Sequence, residues 1–90
     1  MRFEWDHDKA ASNLRKHGVS FEEAMTVFYA PLSATFSDPD HSLDERRFIT
    51  IGYSSRHLLA VVCHTERKGS VPLISARRAT KREKKRHESK

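Results

Sequence analysis

The apolar residues of this 90-residue chain change period once, at Pro31. From Ala10 to Pro31 they recur every three to four residues, as on a helix with one buried face; after it they alternate, as on a strand. Helices followed by strands predict an α+β fold with a mostly antiparallel sheet. Ninety residues make one domain spanning 1–90. A chain of this size buries only about 60% of its unfolded surface, so its stability is narrow.

Local signals divide the two halves further. Phe3, Glu4 and Trp5 alternate as in a short strand, and Asp6 is placed to cap a helix whose inward face is Ala10, Ala11 and Leu14. Gly18 suits the left-handed position after that helix, and Lys16 and His17 favour its negative end. Ser20 and Glu23 have the spacing of a capping box, ahead of Phe21, Ala24, Met25 and Phe28 on one helical face. Four strands are then expected. The first carries Leu32, Ala34 and Phe36 on one side. The others fall near 47–53, 58–65 and 71–76, separated by turns at 54–56 and 68–70. Residues 58–65 are apolar on both faces, as in a central strand. Pro72 lacks an amide donor and belongs at a strand start or edge. Thr80 and Glu83 form a second capping box, opening a basic C-terminal helix with almost no apolar face. Such a helix is expected to be exposed, or to dock on something outside the chain.

Charge is placed unevenly. From Arg77 to Lys90 eight Lys/Arg stand against two Glu, an excess of six; the remaining residues hold nine against ten, a net of −1. A basic block of this kind suits a polyanion or an acidic partner. The lone Cys63 forms no internal disulfide and points to a reducing, cytoplasmic setting. The charged N-terminus does not read as a signal peptide, and the run from Leu58 to Cys63 is too short to span a membrane. No Cys/His spacing resembles a zinc site. Asp38, Asp40, His41, Asp44 and Glu45 fit no calcium-loop pattern and read as a solvated acidic loop, so no metal or cofactor is expected.

Several stretches together resemble the BrnT toxin family: Phe3 to Asp6, Lys9-Ala10, Asn13, Lys16 to Ala24, Glu45 to Phe48, Ile51-Gly52, Thr65 to Arg67, and Ile74 to Glu83. They cover nearly the whole chain in order. The resemblance implies a RelE-like fold, RNA cleavage that arrests growth, and hetero-oligomer formation with a BrnA-like antitoxin whose DNA-binding part represses the shared operon. Two positions depart from the family. The turn Ser54-Ser55-Arg56-His57 lacks an expected glycine, and Pro72 stands where a basic residue is common.

RNA carries its own nucleophile, the 2′-hydroxyl. Its cleavage requires a base, stabilisation of charge on phosphorus, and a proton for the leaving 5′-oxygen; no metal is obligatory. A planar Arg fork suits phosphate. The expected charge-stabilising groups are Arg67 and Arg77, and the base candidates are His64, Glu66 and Glu83. His64 and Glu66, two apart, are expected on one strand face. RNA contacts are expected from Lys16, Arg78, Lys81, Lys84 and Lys85. A hairpin at 68–70 places Arg67 and Arg77 toward opposite strand ends. The competing readings are a non-catalytic basic nucleic-acid-binding module and a RelE-fold toxin acting on DNA topology.

Overall fold

A computed structural model describes residues 1–38 and 46–89. The elements run β1 (Phe3–Glu4), α1 (His7–His17), α2 (Phe21–Val27), β2 (Ala34–Ser37), β3 (Arg47–Tyr53), β4 (Leu59–Thr65), β5 (Val71–Arg78) and α3 (Lys81–Glu88). The strands form one sheet in the order β1-β5-β4-β3-β2, with β1 parallel to β5 and every other pair antiparallel. β4 is the middle strand, which accounts for its apolar residues on both faces. The α+β expectation holds, as does the order of helices and strands. The acidic loop expected at 38–45 lies, beyond Asp38, outside the described residues.

The caps act largely as their residue types dictate. Asp6 accepts the Asp8 amide, and Gly18 adopts φ 71° while its N–H closes onto the Leu14 carbonyl. Ser20 accepts the Glu23 amide at 3.0 Å. Glu23 does not return the bond to Ser20. Its carboxylate instead accepts the Ser54 hydroxyl at 2.7 Å, and Thr26 accepts the Ser55 amide at 2.9 Å. The capping box at 20–23 is thus half formed, because its acidic member ties the β3–β4 turn to α2. In that turn, where the resemblance implies a glycine, His57 adopts φ 63°, the left-handed conformation that glycine takes without strain.

The two N-terminal helices cover one sheet face. Val19, Phe21, Ala24 and Val27 pack on Ala60, Val62, Leu73 and Ala76, with Trp5 edge-on to Phe21 at 5.9 Å. Complete burial of Phe21 contributes roughly 2–3 kcal/mol. The inward face of α1 differs from expectation: Ala11 and Leu14 are exposed, while Asn13 is buried. Where β1 runs out, the Asn13 amide group takes its place beside β5. It donates to the Ala76 carbonyl at 2.8 Å and accepts the Ala76 N–H at 3.0 Å, as a neighbouring strand would. It also donates to the Val19 carbonyl at 2.9 Å.

α3 lies against the other sheet face across a cleft; most of its residues are exposed, as expected, but it is tied to its own domain instead of docking only on something outside the chain. It docks without an apolar stripe, by polar anchors: an Arg77–Glu83 ion pair, a Tyr53–Glu88 hydrogen bond at 2.6 Å, and His87 edge-on to Tyr53 at 5.9 Å.

Candidate active site

Side-chain alternation turns Ile49 and Ile51 of β3, Val61 of β4 and Arg77 of β5 to the face opposite α1 and α2. Cross-strand register aligns them, Ile51 with Val61 and Val61 with Arg77. The chain leaves β5 at a set place, because the Ala79 amide donates to the Leu59 carbonyl at 2.9 Å. Thr80 then starts α3 with a complete capping box. Glu83, Arg86 and His87, three and four apart, fall on the helix face turned toward the sheet. Together with Phe36, Ile49, Ile51 and Val61 they line a cleft of about 430 Å³, apolar on its floor and charged along the α3 wall.

Arg77 does not itself line the cleft but is bound to Glu83, which does. Its Nη1 and Nη2 donate to the two carboxylate oxygens of Glu83 at 2.8 and 2.9 Å, and Nη1 also reaches the Arg78 carbonyl at 3.2 Å. Glu83 Oε1 in addition accepts the Thr80 amide at 2.8 Å. The bonds from Arg77, helped by that amide, hold the Glu83 carboxyl down to about 2, and the same pairing raises the Arg77 guanidinium above its ordinary value. A carboxylate held so low is a poor proton acceptor, so Glu83 does not suit the base role expected of it. Its geometry suits fixing the guanidinium plane. Three of the five Arg77 donors are engaged in these bonds, leaving two for a phosphate.

The profile of the family described as "Ribonuclease toxin, BrnT, of type II toxin-antitoxin system" matches residues 5–83. The chain belongs to the BrnT family. It is accordingly a ribonuclease toxin of a type II toxin–antitoxin system, a class that implies an antitoxin partner. The fold is similar to the crystal structure of the Brucella abortus ribonuclease toxin BrnT. The two share 21% identity with a TM-score of 0.66, over 90% of this chain and 99% of that one. No curated protein matches the sequence significantly. Arg77 and Glu83 lie inside the stretch matched to BrnT, whereas Arg86 and His87 lie beyond it.

The remaining candidates of this BrnT chain do not gather in the cleft. Arg67 pairs with Ser70 in the β4–β5 hairpin, six residues along from the Val61 that faces Arg77, a separation of roughly 20 Å. The two arginines therefore cannot share one phosphate. Glu66 is exposed and lies past the end of β4, and a register shift falls between Cys63 and His64. The shared face expected for His64 and Glu66 is not formed. His64 is 2% exposed, between Phe28 and Phe48 on the α1/α2 side. Its Nε2 meets Thr50 Oγ1 at 2.8 Å and its Nδ1 the Thr65 carbonyl at 3.4 Å. Burial pushes its pKa down. It offers no ring atom to a substrate.

Lys16 lines a small, shallow depression with Lys9, His17, Ile74 and Ser75 at α1. Arg78 is exposed at the end of β5, and Lys81, Lys84 and Lys85 are exposed on α3, turned away from the cleft by helical spacing. Among the described residues no group of three or more His, Cys, Asp or Glu is arranged to hold a metal ion. No described helix is long and apolar enough to cross a membrane. The sequence reading missed Asn13 as a buried bridge, Arg86 and His87 as residues lining the cleft with Glu83, and Tyr53 as the ring against His87. The only available signal was the spacing of 83, 86 and 87.

Proposed function

We propose that this BrnT chain cleaves RNA without a metal, with the RNA 2′-hydroxyl as nucleophile and Arg77 stabilising charge on phosphorus. The observation that carries the reading is the forked Arg77–Glu83 pair, whose Glu83 lines the α3 cleft. A guanidinium fixed in advance does not have to be ordered as the transition state forms, and that is when its charge is worth most. Glu83 acts here as a positioning residue. Arg86 supplies a second cation along the same wall, and the apolar floor suits a nucleobase. Arg78, Lys81, Lys84 and Lys85 draw the RNA backbone toward this side of the molecule through their field. Lys16 serves only an RNA long enough to reach the opposite face. The roles expected of Arg67, Glu66 and His64 are not carried into this site.

The partner is a BrnA-like antitoxin, bound as a hetero-oligomer and repressing its own operon through a DNA-binding part. The family's type II assignment supports the existence of such a partner. The test is cleavage of an RNA oligonucleotide in EDTA by toxin freed of antitoxin. Wild type should yield 2′,3′-cyclic phosphate ends. Arg77→Ala should fall by about 10²–10³-fold, the cost of removing one such donor elsewhere. Cleavage that stops with chelator and returns with Mg²⁺ would refute the metal-free mechanism. Wild-type rates from Arg77→Ala would remove the site.

A further inference from the structure

We infer that His87 is the general base of this cleft, taking the proton of the RNA 2′-hydroxyl. The inference rests on the cleft's being the cleavage site. His87 is 8% exposed and lines the cleft wall one helical turn after Glu83. Both its ring nitrogens are buried and lack a hydrogen-bond partner among the described residues. A buried imidazole with neither nitrogen satisfied lowers stability, and the ring's edge contact with Tyr53 uses neither nitrogen, so the two nitrogens are left for a ligand. The contrast with His64 is direct: there both nitrogens have protein partners, and the ring is part of the core.

The surroundings of His87 hold the ring without using its nitrogens. Tyr53 packs edge-on at 5.9 Å, and its hydroxyl is held by Glu88 at 2.6 Å. The charged and titratable groups around the ring are Glu83, Arg86 and Glu88 from α3 and Tyr53 from β3, with Arg77 of β5 behind Glu83. Residues four apart on a helix stand about 5–6 Å apart at Cβ. His87 and Glu83, the residue that holds Arg77, therefore stand one helical turn apart on the cleft wall, and a ribose bound at His87 brings its adjoining phosphate toward the Glu83 end of that wall. Imidazole is the side chain best suited to moving a proton near neutral pH.

The step balances without a co-reactant other than water. The 2′-hydroxyl proton passes to a His87 ring nitrogen and the 2′-oxygen bonds to phosphorus. The bond from phosphorus to the 5′-oxygen breaks, and that oxygen takes a proton from water. The hydroxide left behind removes the proton from the imidazolium. The products are a 2′,3′-cyclic phosphate and a 5′-hydroxyl.

The experiment compares full-length wild type, His87→Gln and His87→Ala on an RNA oligonucleotide in EDTA. Affinity is measured on the same oligonucleotide with 2′-deoxyribose at the cleaved position, and α3 order by amide exchange. His87→Gln should lose at least about 100-fold in kcat. Its affinity and α3 protection should be unchanged. Added imidazole should restore part of the activity of His87→Ala. A His87→Gln enzyme with wild-type kcat would overturn the assignment, as would loss of activity accompanied by loss of α3 protection. Failure of wild type to cleave in EDTA, with recovery in Mg²⁺, would instead count against the underlying metal-free reading.

Discussion

Replacing Asn13 with alanine should cost about 3 kcal/mol of stability, although Asn13 touches neither the cleft nor α3. The side chain makes three buried hydrogen bonds of 2.8–3.0 Å, two to groups of Ala76, 63 residues away, and one to Val19. Asn13→Ala leaves one amide and two carbonyls without these partners. Each unmet buried group costs about 1–3 kcal/mol, and water entering the vacated space relieves the carbonyls in part, so the sum is near 3. A domain of this length holds roughly 5–13 kcal/mol in all. The melting midpoint should therefore drop by about 12–24 °C. Urea denaturation of the purified toxin, followed by the fluorescence of Trp5 packed on Phe21, reads the change. Asn13→Asp gives a second test. Its carboxylate keeps the acceptor for the Ala76 amide but faces two carbonyl oxygens, so at neutral pH it should be at least as damaging as alanine. Its pKa in the folded state should be raised, so the deficit should shrink as pH falls and the protonated acid can donate to one carbonyl. A loss below about 1 kcal/mol for Asn13→Ala would refute the argument that this side chain closes the sheet edge.

Two further outcomes follow from local chemistry. His57→Gly should raise stability by about 0.5–1 kcal/mol, because the left-handed conformation at φ 63° costs an L-residue more than glycine loses in unfolded-chain entropy; a lower urea midpoint would show that the His57 side chain offsets its own strain. Glu83, held to about 2 when folded and near 4.5 otherwise, should stabilise α3 docking fully above pH 4.5, with that contribution lost as pH falls through 2. Since the paired side chains are 42% and 32% exposed, the contribution is about 1 kcal/mol or less. The difference in melting midpoint between wild type and Glu83→Gln should close over that range, and a difference independent of pH would contradict the pairing.

Much of the architecture was legible in the residues because its causes are local. Asp6, Ser20 and Thr80 start helices by accepting amides two or three residues ahead, and Gly18 ends one by taking a left-handed conformation. The apolar residues on both faces of residues 58–65 marked the central strand without knowledge of its neighbours. The resemblance to BrnT was likewise carried by short blocks whose order along the chain is enough to recognise them. The site was less legible. Glu23 has the spacing of a capping residue, yet its carboxylate binds Ser54, 31 residues on. Asn13 looked like one more polar residue on a helix, and nothing near it in sequence announces Ala76. His64 and His87 are both histidines amid unremarkable neighbours, and only packing decides that one has its nitrogens satisfied and the other does not. The same holds for α3, whose composition predicts a free basic helix. Tertiary structure turned Glu83 and His87 toward a sheet face that strand register had furnished with Arg77 and Tyr53. Caps and periodicity are set within a few residues by backbone geometry. The partner of a buried polar group is set by which distant segments the register brings within about 3 Å, and that depends on the whole sheet.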